Sequence, residues 1–148
     1  MFIRLKKCVI LNRLPGQDDR LQIAFIQRWL TSHWTDSRTI LKKPLIFAEF
    51  GKSKTYPGFN ISAMDYFLNI VYTNIYNLAK NGGMGGGLVW QIFTEGMESY
   101  YDGYEIVLSQ NPSATSIIAQ QSNKMTKLEH SLNNPHGDIF EQAKRRST

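Results

Sequence analysis

The 148 residues predict an α/β fold built on one parallel βαβ unit, and three features point to it. Leu45-Ile46-Phe47-Ala48 is a continuous apolar run, and Gly87-Leu88-Val89-Trp90-Gln91-Ile92-Phe93 is a second. Between them Met64, Phe67, Val71, Ile75 and Leu78 recur at helical spacing. A continuous apolar run describes a strand covered on both faces, as in parallel sheets, whereas a strand with one wet face alternates. Strand, helix and strand in this order imply parallel neighbours joined by a right-handed crossover.

Each element has its own local signal. Leu14-Pro15-Gly16 reads as a turn, and Asp18 or Asp19 supplies a cap for the helix that follows. Leu21, Phe25 and Trp29, four residues apart, predict one buried helical face running towards Leu41. Lys42-Lys43-Pro44 closes that helix, because proline disfavours a helical residue before it and the lysines complement the C-terminal dipole. The first strand is interrupted by Glu49 and ends at Phe50-Gly51, before a loop from Lys52 to Asn60. Asn81-Gly82-Gly83 stops the second helix. After the second strand, a polar aromatic loop from Thr94 to Gln110 contains Tyr100-Tyr101-Asp102-Gly103-Tyr104. Pro112 opens a third helix, with Ala114, Ile118, Met125, Leu128 and Leu132 as its apolar stripe. Two parallel strands do not close a sheet. Both would present open edges that need cover, the pattern of the end of a larger α/β protein.

Composition narrows the function classes. At 42% apolar and 20% charged residues the chain is neither a disordered tail nor a membrane bundle, and no run approaches the length of a spanning helix. The net charge of +5 suggests a nucleic-acid partner, but its distribution argues against one. Residues 1–13 carry Arg4, Lys6, Lys7 and Arg13 without an acid, and the last sixteen residues add one further positive charge. Residues 14–132 hold ten basic and ten acidic side chains and are neutral. Cys8 is the sole cysteine, which excludes an internal disulfide. The apolar run Cys8–Leu11 is too short for a secretory signal, so no signal peptide is visible.

Several motifs point away from chemistry. Asn81 to Gly87 looks like a phosphate loop only superficially: it precedes a strand, and no Gly-Lys-Ser/Thr follows. A helix stop with close backbone approach accounts for it better. His33, His130 and His136 lack metal-ligand spacing, and one cysteine cannot complete a zinc site. Asn60-Ile61-Ser62 is a glycosylation sequon, although Asn60 as a helix cap is the stronger reading. Glu49 and Trp90 remain as site candidates, each at the C-terminal end of a predicted parallel strand, where α/β enzymes place reacting groups. On local features Glu49 equally suits an ion pair with a lysine such as Lys52. Trp90 suits either a sugar-stacking platform or a space-filling core residue.

From Lys43 to Ser53, from Gly86 to Gln91, and from Glu95 through Ile106 to Ser113, the sequence resembles plant endo-β-1,4-mannanases of glycoside hydrolase family 5. The likeness runs from about Gly16 to Leu132 and implies a (β/α)₈ barrel, of which this is the C-terminal quarter: strands 7 and 8 with flanking helices. It divides the chain into an unmatched basic segment at 1–13, the barrel part at 14–132 and a polar tail at 133–148, expected to be disordered. By this resemblance Glu49 matches the catalytic nucleophile and Trp90 the floor of the subsite for the reacting mannose. The implied substrate is a mannan-type polysaccharide, with no nucleic acid or membrane partner, and the implied location is extracellular. Retaining glycosidases need a second carboxyl group about 5 Å from the nucleophile. In the family it follows an asparagine at the end of strand 4, but no Asn-Glu pair occurs here, and the family's histidine and tyrosine near strand 6 have no upstream match. Glu95, Glu98 and Glu105 lie in the loop after the last strand and are poor substitutes. The chain by itself is expected not to hydrolyse mannan.

Overall fold

The computed structural model describes residues 3–6 and 19–133. In chain order these form β1 (Ile3–Lys6), α1 (Asp19–Asp36), a π turn (Ser37–Leu41), β2 (Leu45–Phe50), α2 (Ile61–Lys80), β3 (Met84–Val89), β4 (Ile92–Phe93), a 3-10 turn (Glu98–Tyr100), β5 (Ile106–Val107) and α3 (Pro112–Asn133). The strands β1, β2 and β3 make one sheet in that order, with both pairings parallel. The βαβ unit β2–α2–β3 is present as the apolar periodicity requires. The expected turn and cap at 14–19, Cys8, His136 and the tail from 134 lie outside the described residues or side chains.

The first difference from expectation is β1. No strand was expected in the basic N-terminal segment, yet Ile3–Lys6 pairs in register with Leu45–Ala48. Its Ile-Arg-Leu-Lys order alternates apolar and basic, which is itself a strand signal. Among the described residues β2 therefore has a strand on either side. Its buried residues are Leu45, Phe47, Ala48 and Phe50, in keeping with a strand covered on both faces.

The second difference is β3. It begins at Met84, three residues earlier than the apolar run suggests, and ends at Val89. Glycines 85 to 87 have no side chains to show a period, but β2 still recruits their backbone into its ladder. The expectation of burial on both faces fails here, because Leu88 is 55% exposed. Trp90 and Gln91, joined by a cis peptide bond, separate β3 from β4, which pairs in parallel with β5.

Helix faces follow from what each helix touches. α2 lies against α1, α3 and β3, so its buried face is wide: Met64, Phe67, Leu68, Val71, Tyr72, Ile75 and Ala79. Burial pushes the Tyr72 phenol up to about 12, and the ring meets Phe50 edge-on at 5.3 Å. Asn60 caps this helix, its Oδ1 accepting the Ala63 N–H at 2.8 Å. Gly82 and Gly83 end it in the left-handed region that glycine tolerates, and the Trp34 indole donates to the Gly82 carbonyl. On α1 the expected face is rotated: Ile26 and Leu30 are buried, whereas Leu21 and Phe25 are exposed and Trp29 only packs against the core. The fourfold spacing of 21, 25 and 29 was misleading, since contact with the rest of the fold selects the adjacent stripe 26, 30 and 37. On α3, Ala114 is buried and Ile118, Met125 and Leu128 are partly covered, but Leu132 is exposed.

Candidate functional site

Parallel strands end at the same edge of a sheet, so β2 and β3 bring Glu49 and Trp90 to one rim. Phe50 pairs with Val89, and the Trp90 N–H donates to the Phe50 carbonyl at 2.7 Å. The two candidates thus follow one another across adjacent strand ends. Glu49 has φ of +63°, a left-handed conformation that a non-glycine residue rarely adopts. The ladder shifts register between Ala48 and Phe50, so Glu49 is the extra residue of a bulge that re-aims its side chain relative to the strand. Such a conformation costs about 1–3 kcal/mol and persists where the surroundings over-determine it.

Gly51 explains why the strand stops where it does. A Cβ there would collide with the Trp90 carbonyl oxygen and press on the Tyr104 ring. Glycine therefore permits the close approach of the two strand ends. Trp90 itself is 39% exposed, so it does not fill the core formed by the described residues. Its indole Nε1–H donates to Asp102 Oδ2 at 3.0 Å.

The loop after β4 supplies the rest of the rim. Asp102 Oδ1 accepts the Tyr104 N–H at 3.0 Å, and the Tyr104 carbonyl accepts the Gln91 N–H. Burial alone would raise the Asp102 carboxyl, but hydrogen bonds from Trp90, the Tyr104 backbone and Gln91 outweigh it and leave it below the usual range. Glu105 is buried and accepts from Gly103 N–H at 2.8 Å and from Lys54 Nζ at 3.0 Å. The Lys54 N–H also donates to the Gly103 carbonyl, joining the β2–α2 loop to the loop before β5. The Lys54 ammonium lies 5.9 Å from the Tyr101 ring centre, and Lys52 lies 6.0 Å from that of Tyr56.

The three glutamates of the last loop all have local partners. Glu105 is tied to Lys54, Glu95 accepts from the Ser109 hydroxyl at 2.6 Å, and Glu98 accepts from the Gly96 N–H. His33 donates from Nδ1 to the Trp29 carbonyl within α1, away from the rim, and His130 sits near the end of α3. Among the described residues no three histidine, cysteine or acidic side chains gather as a metal-binding group. No described helix is long and apolar enough to cross a membrane. The 81–87 segment ends a helix and starts a strand; a Cβ at Gly87 would strike Ile75, so close packing explains that glycine.

Asp102 and Lys54 were absent from the candidates derived from sequence. The Asp102-Gly103 pair, with Tyr104 donating back to Asp102, is an aspartate turn that sequence can suggest. Its bond to Trp90, twelve residues away, leaves no local trace.

A carboxylate and an exposed indole on the C-terminal rim of a parallel sheet occupy the position of an α/β enzyme site. Similarity narrows that class. The chain is 55% identical over 118 residues to mannan endo-1,4-beta-mannosidase 5 of Solanum lycopersicum, which covers 79% of this chain and 28% of the relative. It is 44% identical over 113 residues to mannan endo-1,4-beta-mannosidase 1 of Oryza sativa subsp. japonica, covering 76% of this chain and 26% of the relative. In structure it matches a glycoside hydrolase family 5 mannosidase from Rhizomucor miehei with a TM-score of 0.67 at 17% identity, over 82% of this chain and 35% of that one. No protein-family model matches the chain. The chain is therefore a partial relative of the plant mannan endo-1,4-beta-mannosidases, spanning little more than a quarter of the length of the curated relatives it matches.

Proposed function

We propose that residues 14–132 are the C-terminal quarter of a family 5 (β/α)₈ barrel, with β2 as strand 7 and β3 as strand 8. In this reading Glu49 is the nucleophile that cleaves β-1,4-mannosidic linkages in mannans, galactomannans and glucomannans with retention. The supporting observation is the left-handed, bulged Glu49 beside the half-exposed Trp90 at the C-terminal rim. A carboxylate there attacks the anomeric carbon to form a glycosyl-enzyme, while a second carboxyl protonates the leaving oxygen and then activates water. Trp90 offers its indole face to the apolar face of the mannose ring. No acid/base partner is assigned within these 148 residues, because Glu95, Glu98 and Glu105 have other partners and no Asn-Glu pair is present. By the same resemblance the proposed action is extracellular, on mannan-type polysaccharide, without a metal or cofactor.

The 148-residue chain, assayed alone on galactomannan, is expected to release no reducing ends. Residues 14–132 placed in the matched portion of the tomato enzyme should restore hydrolysis. Glu49→Gln in that chimera should reduce kcat by at least about 10³-fold, the scale expected when a nucleophile is removed. Full activity of the Glu49→Gln chimera, or mannan hydrolysis by the short chain, would overturn the assignment. A second reading, a non-catalytic fragment that binds mannan, is favoured by the intact Trp90–Asp102 arrangement. Retarded migration in mannan-containing gels, abolished by Trp90→Ala, is its expected signature.

A further inference from the structure

We propose that Asp102 is a positioning residue that holds the Trp90 indole in one orientation on the rim. The use of that indole as a saccharide platform rests on the function proposed above; the tether does not. Trp90 is 39% exposed, so packing covers only part of the ring. A side chain in that situation turns about two torsions unless something pins its edge. Asp102 does so from a loop that is itself tied down. Oδ2 accepts from the indole Nε1–H and Oδ1 accepts from the Tyr104 N–H, both at 3.0 Å, so the carboxylate plane is set by two donors. The chain then closes on itself, because the Tyr104 carbonyl accepts from Gln91, the residue after Trp90. On the other side, Gly103 donates to buried Glu105, which Lys54 clamps.

The chemistry of this contact suits a stacking platform. The Nε1–H lies at the ring edge, so bonding it leaves the π faces unoccupied. A carboxylate acceptor is charge-assisted, and it draws the N–H proton and leaves the ring more electron-rich towards the C–H groups of a pyranose. It also occupies the one indole donor, which would otherwise compete for sugar hydroxyls.

The test uses the full chain, labelled with ¹⁵N. The sequence has three tryptophans, and Trp90→Phe identifies the Trp90 indole resonance. In the parent this N–H should lie downfield and give a rigid heteronuclear NOE. Asp102→Ala should move it upfield and lower the NOE towards that of a mobile side chain, with the resonances of Trp29 and Trp34 unchanged. Mannopentaose affinity should fall about tenfold, the scale of one hydrogen bond to a charged group. Asp102→Asn keeps one acceptor oxygen and should recover part of the shift and part of the affinity; it also serves if the alanine variant fails to fold. An unmoved and still rigid Trp90 resonance in both variants overturns the proposal. A mobile indole with unchanged mannopentaose affinity keeps the tether and overturns the use of that indole as a saccharide platform. If the unsubstituted chain binds no mannopentaose, the reading of this chain by itself as a mannan binder fails, and the resonance position and NOE alone decide whether Asp102 holds the ring.

Discussion

The neighbouring strands β2 and β3 share a ladder but not an environment. β2 has a strand on each side, and Phe47, Ala48 and Phe50 are wholly buried. The Phe47 and Phe50 rings stack at 5.0 Å, with Trp29 of α1 tilted against Phe47. β3 has a described partner on one side only. Its other flank opens onto an apolar trough of about 770 Å³ lined by Ile46, Leu88, Ile118, Met125 and Leu128. This hollow runs along the flank of the sheet, and neither Glu49 nor Trp90 lines it. In a parallel βα array each unit is covered by those on both sides, and among the described residues β2 is paired on both edges while β3 is paired on one. The comparison puts the most deeply buried apolar side chains on β2 and the exposed apolar surface beside β3 and α3.

The strongest way to break the comparison is to hollow out the sealed side. Phe47→Ala should cost about 3–5 kcal/mol, read as a lower urea midpoint. The matched change on the open flank, Leu88→Ala, should stay within about 0.5 kcal/mol because that side chain is already largely in water. Equal losses at the two positions would mean that the open flank is covered in solution.

Next in size is Gly51→Ala, which sets a methyl against the Trp90 carbonyl and the Tyr104 ring. It should destabilise by about 1–3 kcal/mol, as overpacking does, and shift the Trp90 indole resonance. A normal resonance would mean that the strand ends part without disturbing the Trp90 ring.

A smaller effect is expected from Lys54 and Glu105. Burial alone would raise the Glu105 carboxyl, but its own backbone, the Lys54 ammonium and the Gly103 N–H lower it below its ordinary 4.5. A lowered folded value means that the pair's stabilisation is complete above the unfolded value and disappears as pH falls through the folded one. Lys54 is 36% exposed, so screening limits the contribution to about 1 kcal/mol. Glu105→Gln should therefore flatten the fall in stability below pH 4.5, measured by denaturation across pH. The least costly change is Leu88→Lys, expected to alter stability by under about 0.5 kcal/mol while reducing any self-association seen in sedimentation.

Elements whose signal is local were legible in the sequence. The unbroken apolar run identified β2 as a doubly covered strand, and Asn60 and Gly82-Gly83 marked the ends of α2 through their own backbone chemistry. Glu49 and Trp90 were legible because a parallel βαβ order assigns both to one rim. The buried face of α1 was not, since two adjacent stripes satisfy a helical period and only packing chooses between them. The strand β1 was missed because four alternating residues carry too little pattern to stand out from a basic end.

By itself, then, the sequence determined the order of strands and helices, the parallel pairing and the shared rim of Glu49 and Trp90, all of which follow from short-range periodicity and backbone restriction. Tertiary structure decided how those residues are held: the left-handed turn at Glu49, the contact that requires Gly51, the Asp102 tether and the Lys54–Glu105 clamp. Each of these depends on groups that folding brings together or on a backbone conformation that folding enforces, and neither is written in the spacing of neighbouring residues.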